Sequence, residues 1–363
     1  MMTIFGVAGA VALIFTGFGV QHSISGIKDS QFGHIIKYDM IVAQNNTAND
    51  TENKKLYHLL DDSKVKSSTP VHYESVSKVS GDKNDRQSIT MIVSENTKDF
   101  NQYISLNDRK SQEKLKFSND GVIISERLSK LLDVKVGDTF TYNDSNDVER
   151  KVKVSGICEM YTGHFIFMNE KTYEKVYHQD YEKNAYLLKL KNNSVNNTRV
   201  QAARFMELTA VKGVVQNTTM TTLVDMIVTS LNKIMIILIL LAIMLGTVIL
   251  YNLTNINVSE RIRELSTIKV LGFYDPEVTM YIYRETIILS ALGIVAGWFI
   301  GMALHSYILV VVPPDEVMFD PAKWIGAFII PLIVITFISY VLKFVVNNKL
   351  KNVDMLEALK SVD

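Results

Sequence analysis

Ile234–Leu253 reads IMIILILLAIMLGTVILYNL, twenty residues without a charged side chain. An α-helix needs about 20 apolar residues to cross a hydrocarbon core of ~30 Å. Two later stretches have the same character. Thr286–Val312 carries no charge beyond a protonatable His305, and Trp324–Leu342 has Trp324 and Tyr340 near its ends as interfacial anchors. The opening residues, MMTIFGVAGAVALIFTGFGV, form a fourth such run. A cleaved signal peptide would begin with a basic region and end at a small-residue cleavage site. Here no Lys or Arg precedes Lys28 and the uncharged run continues past Val20, so a retained span is expected.

Orientation follows from the Lys/Arg bias of the short loops. Arg261, Arg263, Lys269 and Arg284 lie between the second and third spans, and Lys343, Lys349, Lys351 and Lys360 follow the fourth. The connection between the third and fourth has Lys323 beside Asp315, Glu316 and Asp320. The first loop and the tail are therefore expected in the cytoplasm of a bacterial cell, with both termini, and the last loop outside. The chain divides into the first span and start of a stalk (1–27), an extracytoplasmic domain (28–225), the stalk and second span (226–253), and a cytoplasmic loop (254–285). Then come the third span (286–312), a short outer loop (313–323), the fourth span (324–346) and a tail (347–363).

Composition narrows the function. Thirty-eight basic and 38 acidic side chains cancel, so no global field attracts nucleic acid. Cys158 is the only cysteine, which excludes an internal disulfide and a multi-thiolate zinc site. A disulfide-free outer domain rich in Lys, Asn and Ile suits a Gram-positive bacterium. There is no G-x-x-x-x-G-K-[ST], so the chain does not hydrolyse ATP by P-loop chemistry. No H-E-x-x-H, G-x-S-x-G or paired-cysteine motif is present. The histidines, among them His164, are scattered without metal-ligand spacing. Neither a catalytic site nor a cofactor or metal is expected.

Between the first two spans the pattern turns globular. Runs rich in β-branched and aromatic residues predict strands at Tyr38–Ala43, Ser88–Val93, Val122–Ile124, Thr139–Tyr142, Lys151–Ile157, Phe165–Met168 and Ala185–Leu190. Ser125–Leu132, Lys171–Tyr177 and Val195–Leu208 read as helices, and Gln44–Asn53 and Ser80–Arg86 as loops. The fold class is thus a four-helix membrane protein with an α+β outer domain. Leu223, Met226, Ile227, Ser230, Leu231 and Ile234 form one apolar stripe, and Val20, Ile24 and Ile27 begin a matching one. The two stripes fit either simple packing or a two-helix stalk.

Loop 254–285 is the most informative stretch. Asn257 and Glu260 have capping-box spacing, Val258, Ile262, Leu265 and Ile268 form a stripe, and Gly272 is placed to end a helix. Asp275-Pro276 reads as an N-cap followed by proline at the first helical position. Gly293, Gly297 and Gly301 form a GxxxGxxxG face that allows close helix packing, within one chain or between two. His305 is either a functional group inside the span or a histidine near the outer interface, and Pro331 is expected to kink the fourth span.

SERIRELSTIKVLGFYDPEV with YRETIILSALGIVAGWFIG resembles the C-terminal part of the FtsX-like permeases. These are ABC-transporter membrane subunits of the MacB and lipoprotein-releasing type. GVIISERLSKLLDVKVGDTFTY (Gly121–Tyr142) resembles part of their periplasmic domain, and VDMLEALKSVD their cytoplasmic ending, where Asp354 and Glu357 again have capping-box spacing. The resemblance implies a separate ABC ATPase docking on the loop that holds Arg261, Arg263, Glu264, Lys269 and Gly272. It also implies a homodimer, or a heterodimer with a second permease module, in contact with membrane lipid. Motion would pass along the stalk to an outer domain that handles a peptide, lipid-linked or antibiotic ligand. Two alternatives stand beside transport. One is an FtsX-like regulator that activates a cell-wall hydrolase. The other is the C-terminal half or a fragment of a longer two-module permease, since family members usually begin with a short basic segment and this chain starts inside the span.

Overall fold

A computed structural model describes residues 2–80, 85–261, 264, 267–268, 271–322 and 324–351. In chain order the first elements are α1 (Met2–Ser25), a wide-turned π-type helix (Asp29–Ile35), β1 (Met40–Gln44), α2 (Asp50–Leu60), β2 (Val65–Ser80) and β3 (Asp85–Ser94). There follow α3 (Thr97–Phe100), β4 (Val122–Ser125), α4 (Glu126–Leu132), β5 (Thr139–Asn143), β6 (Glu149–Cys158) and β7 (His164–Asn169). The chain continues through α5 (Glu170–Tyr177), β8 (Ala185–Leu190), α6 (Val195–Met206) and β9 (Val211–Gln216). It ends in the long helices α7 (Asn217–Glu260), α8 (Asp275–Val311) and α9 (Gly326–Lys351). Two compact units result: Gly26–Val228 with Pro313–Asp320, and the four long helices.

The outer unit is organised by β2. Its first half pairs antiparallel with β8, from Val65↔Leu190 to Val71↔Ala185, and its second half with β3, from His72↔Val93 to Ser80↔Asp85. One lobe is the sheet β9–β1–β8–β2, with Leu56, Leu60, Leu188 and Phe205 in its core. In the other, β2–β3–β7–β4–β6–β5 form a ring that returns to β2 through Ser77↔Asn143. Ile89, Met91, Ile124, Tyr142, Ile166 and Met168 fill that ring.

The structure departs from the sequence reading in several places. Asp50–Asn53 belongs to α2 rather than to a loop, because Asn49 caps the helix: its side chain accepts from the Glu52 N–H at 2.9 Å, and Glu52 returns the bond. Asp85 and Arg86 extend β3, while residues 81–84 lie outside the described residues. The sixteen-residue β2 was not expected, since Pro70 and the serines around it argue against a strand. Pro70 is accommodated opposite Tyr186, and β9 was missed because it is short and holds Gly213.

In the membrane unit, four helices are long and apolar enough to span a bilayer. α1 is the most buried of them, and Val7, Val11 and Ile14 meet Ala242, Ile294 and Ile335 in one core. α7 is a single helix of 44 residues, about 66 Å at 1.5 Å per residue. Asn257 and Glu260 therefore lie inside it and form no capping box. The Asn257 amide instead lies 3.5 Å from the Thr286 hydroxyl. The expected stripe on α7 is also shifted: Val224, Val228, Met235 and Ile239 are buried, while Leu223, Met226, Ile227 and Ile234 are exposed. In this part of α7 apolar residues fall on more than one side, Leu223 and Ile227 as well as Val224 and Val228, and spacing alone does not select the packed set. Val20, Ile24 and Ile27 are buried.

Candidate functional site

Loop 254–285 narrows to the fourteen residues 261–274 between α7 and α8. Arg261 follows the last residue of α7, and its guanidinium meets Glu285 at 2.5 Å, both side chains being partly exposed; the described residues 264, 267 and 268 beyond it are helical. Such a pair contributes roughly 0–1 kcal/mol, so it orients the chain more than it stabilises it. Glu264 is exposed, while Arg263 and Lys269 lie outside the described residues. Gly272 takes φ +96°, the left-handed conformation that ends a helix and that a Cβ disfavours. The N-cap of α8 is Tyr274, one residue earlier than expected, and its N–H donates to Glu277 at 3.0 Å.

The glycine face of α8 packs on α1. A methyl group at Gly293 would come within 2.8 Å of Val7 Cβ, at Gly297 within 2.6 Å of Val11 Cβ, and at Gly301 within 2.9 Å of the Phe15 ring. These approaches are possible because no side chain intervenes. One turn further, His305 is buried against α1, 3.4 Å from the Ser23 hydroxyl and edge-on to Phe15. Nearby His22 stacks on Trp324 at 4.8 Å. Pro331 lies inside α9.

The loop between α8 and α9 was expected only as a short outer connection, and the structure builds it into the outer unit. Residues 313–320 pack as part of the outer unit, as a strap across segment 160–163. Gly163 N–H donates to Glu316 O at 2.8 Å, Met318 N–H to Tyr161 O at 2.8 Å, and Thr162 bridges Val317. Arg127, on the first turn of α4, donates to the carbonyls of Asp315 at 2.8 Å and Pro314 at 3.3 Å. From the other side, the fully buried Gln31 accepts from the Tyr161 N–H at 2.8 Å and donates to Thr162 O at 3.2 Å. Segment 160–163 is thus held between the π-type helix that follows α1 and the strap that joins α8 to α9.

Electrostatics fix the base of this clamp. Arg109 binds Glu126 through two bonds of 2.7 and 3.1 Å, and Lys130 adds a third contact at 3.0 Å. Burial pushes the Glu126 carboxyl up, but these cations outweigh it and hold the group below the usual carboxylate range. Burial lowers the Arg127 guanidinium. Farther along, Lys28 pairs with Asp225 at 2.6 Å, and Ser25 with Asn232 at 3.3 Å, tying the end of α1 and the residues after it to α7. No cluster of metal-ligating side chains occurs among the described residues, and Cys158 is buried and unpaired.

Comparison with curated proteins finds no match. The periplasmic region of MacB from Actinobacillus actinomycetemcomitans is similar at 12% identity and a TM-score of 0.30, over 53% of this chain and 95% of that one. The extracellular domain of the noncanonic ABC-type transporter YknZ from Gram-positive bacteria gives 13% identity and a TM-score of 0.27, over 49% of this chain and 99% of that one. Two family models match in tandem, a MacB-like periplasmic core domain at residues 2–224 and an FtsX-like permease C-terminal region at residues 236–348. Since the first alone covers more than half of the chain, this multi-pass membrane protein belongs to the FtsX-like permeases with a MacB-like periplasmic core domain.

Proposed function

We propose that this chain is the membrane subunit of an ABC transporter, in which a separate ATPase docks on residues 261–272 and drives movement of the outer domain. In this reading the 254–285 loop and both termini face the cytoplasm, and the working unit is a homodimer or a heterodimer with a second permease module. The ligand handled outside is a peptide, a lipid-linked molecule or an antibiotic. The observation that supports it best is the strap. A loop between two membrane helices is built into the outer unit by backbone hydrogen bonds, each worth a net ~0.5–1.5 kcal/mol. Any displacement of α8 and α9 therefore loads segment 160–163, and Gln31 passes that load toward the end of α1.

Co-purification of the full chain with the ATPase encoded beside it tests the docking claim. Wild type should retain the ATPase and the Arg261→Glu/Lys269→Glu chain should lose it. The swapped chain Arg261→Glu/Glu285→Arg restores the ion pair, and binding that returns with it would assign the effect to loop shape. No ATPase bound by wild type would sink the proposal.

A further inference from the structure

β2 and segment 178–184 carry the chain from one lobe of the outer unit to the other and back. β2 changes partner between consecutive residues, Val71 pairing with Ala185 of β8 and His72 with Val93 of β3. Segment 178–184 returns from α5 to β8. Asn184 stitches the two crossings together. Its N–H donates to Val71 O at 3.1 Å, and its side chain accepts from the Tyr73 N–H at 2.7 Å and donates to Tyr73 O at 3.0 Å. A fourth tie differs in kind, because its donor can lose a proton: His72 Nδ1 lies 2.7 Å from Glu182 O.

Side chains alternate along β2. His72 and Glu74 share the side of Val76, which belongs to the barrel core. Tyr73 turns the other way and borders, with Thr90, Phe165 and Val215, an open volume of about 510 Å³. A carbonyl oxygen only accepts, so Nδ1 of His72 carries the proton of its bond to Glu182. Nε2 then lies 3.5 Å from Glu74 Oε2, with no hydrogen-bond partner among the described residues. In a neutral ring this nitrogen sets a bare lone pair against a carboxylate. In an imidazolium it is a second donor, and the contact is an ion pair. Glu74 is well anchored, since the Ser145 N–H donates to it at 2.7 Å and the Tyr177 hydroxyl at 3.3 Å. Burial raises its carboxyl, but the contacts with His72 and Ser145 outweigh burial and bring the group down to about 2.

The groups on the other elements do not oppose a cation here. On α5 the Tyr173 ring lies 4.7 Å from the imidazole, and an aromatic face attracts positive charge. Arg150 of β6, over the Tyr177 ring, is matched by Asp144 at 2.9 Å. Glu95 after β3 and Tyr181, Glu182 and Lys183 on the returning crossing border a cleft outside. We propose that His72 is a proton-operated latch between the lobes: its imidazolium bridges Glu182 O and Glu74 and holds the two crossings together, and loss of the proton lets them part. Acid therefore tightens the latch and rising pH loosens it, because the closed form keeps a proton that the open form gives up. The latch goes beyond the permease reading and does not depend on it.

The test is hydrogen exchange on the full chain in nanodiscs, read at the Tyr73 and Asn184 amides and corrected for the intrinsic pH dependence of exchange. Between about pH 5 and pH 8, where histidines change charge, protection at both amides should fall. The expected fall is about tenfold, the difference between a charge-assisted and a neutral hydrogen bond. His72→Gln keeps a donor for Glu182 O but has no proton to lose, so its protection should stay level across the range. If that variant misfolds, Glu74→Gln decides: with no carboxylate opposing the neutral ring, the change should shrink below about threefold. Wild-type protection that is flat or rises with pH overturns the latch. So does a full tenfold fall in His72→Gln, or an undiminished one in Glu74→Gln.

Discussion

The two faces of β3 and β7 make an instructive contrast. Toward the barrel, Ile89, Met91, Ile166 and Met168 are fully buried in a filled core. Toward the other side, Ser88, Thr90 and Phe165 border an open volume. Side chains alternate along a strand, so neighbours in sequence serve opposite ends. One face is stability and the other is capacity. A packed interior leaves no room for a ligand, whereas the face that carries Ser88, Thr90 and Phe165 does.

The contrast can be broken most forcefully by truncation on the filled side. Ile166→Ala should destabilise the outer domain by roughly 2–5 kcal/mol, the range for large-to-small core changes, read as the shift in urea midpoint by pulse proteolysis of the full chain. A loss below about 1 kcal/mol would mean the barrel is not close-packed.

A pH titration probes the start of β7, where His164 shares the barrel side with Ile89 and Ile166. Burial, then the nearby Arg127 charge, pushes His164 down to about 4 from an ordinary 6.5, with Asp315 acting weakly in the opposite sense. Because the folded value is depressed, the unfolded chain binds the proton first. The stabilisation is complete above about pH 6.5 and is lost as pH falls toward 4. At about 1.4 kcal/mol per tenfold change in proton affinity, up to about 3 kcal/mol is at stake. Glu126, whose carboxyl is held low, acts below its unfolded range near 4.5, so the two windows separate. His164→Gln should flatten the upper window, and an unchanged slope there would remove His164 from this account.

Arg127→Ala removes the two bonds to the strap carbonyls and should release it by about 1–2 kcal/mol. Hydrogen exchange at the Gly163 and Met318 amides would rise about tenfold, and unchanged exchange would place the strap's stability elsewhere. The smallest effect compares one added methyl on each side. Val93→Ile in the filled core should cost ~1–3 kcal/mol, whereas Val215→Ile at the cavity should be neutral or gain up to ~0.8 kcal/mol.

Much of this architecture was legible in the sequence, because charge-free runs and β-branched clusters report solvent directly. The spans and seven of the strands fall in that class. β2 escaped because Pro70 and alternating serines mask a strand whose pairing is supplied by β3 and β8. The packed face at the start of α7 escaped because apolar residues fall on more than one side there, Leu223 and Ile227 exposed, Val224 and Val228 buried. The strap and the cavity are tertiary: nothing in 313–323 encodes Arg127 or Tyr161 as partners, and both faces of β7 read simply as apolar. His164 was one of several scattered histidines in the sequence, and its unmet ring nitrogens became visible with the fold.

Hydrogen exchange across segment 160–163 and the strap, in the chain reconstituted with its ATPase, tests most directly whether ATP reaches the outer domain. Trapping the ATPase with ATP should change protection at the Gly163 and Met318 amides by about tenfold relative to the nucleotide-free complex. If the ATPase binds and turns over while every amide of the outer domain keeps its exchange rate, the coupling proposed here is contradicted.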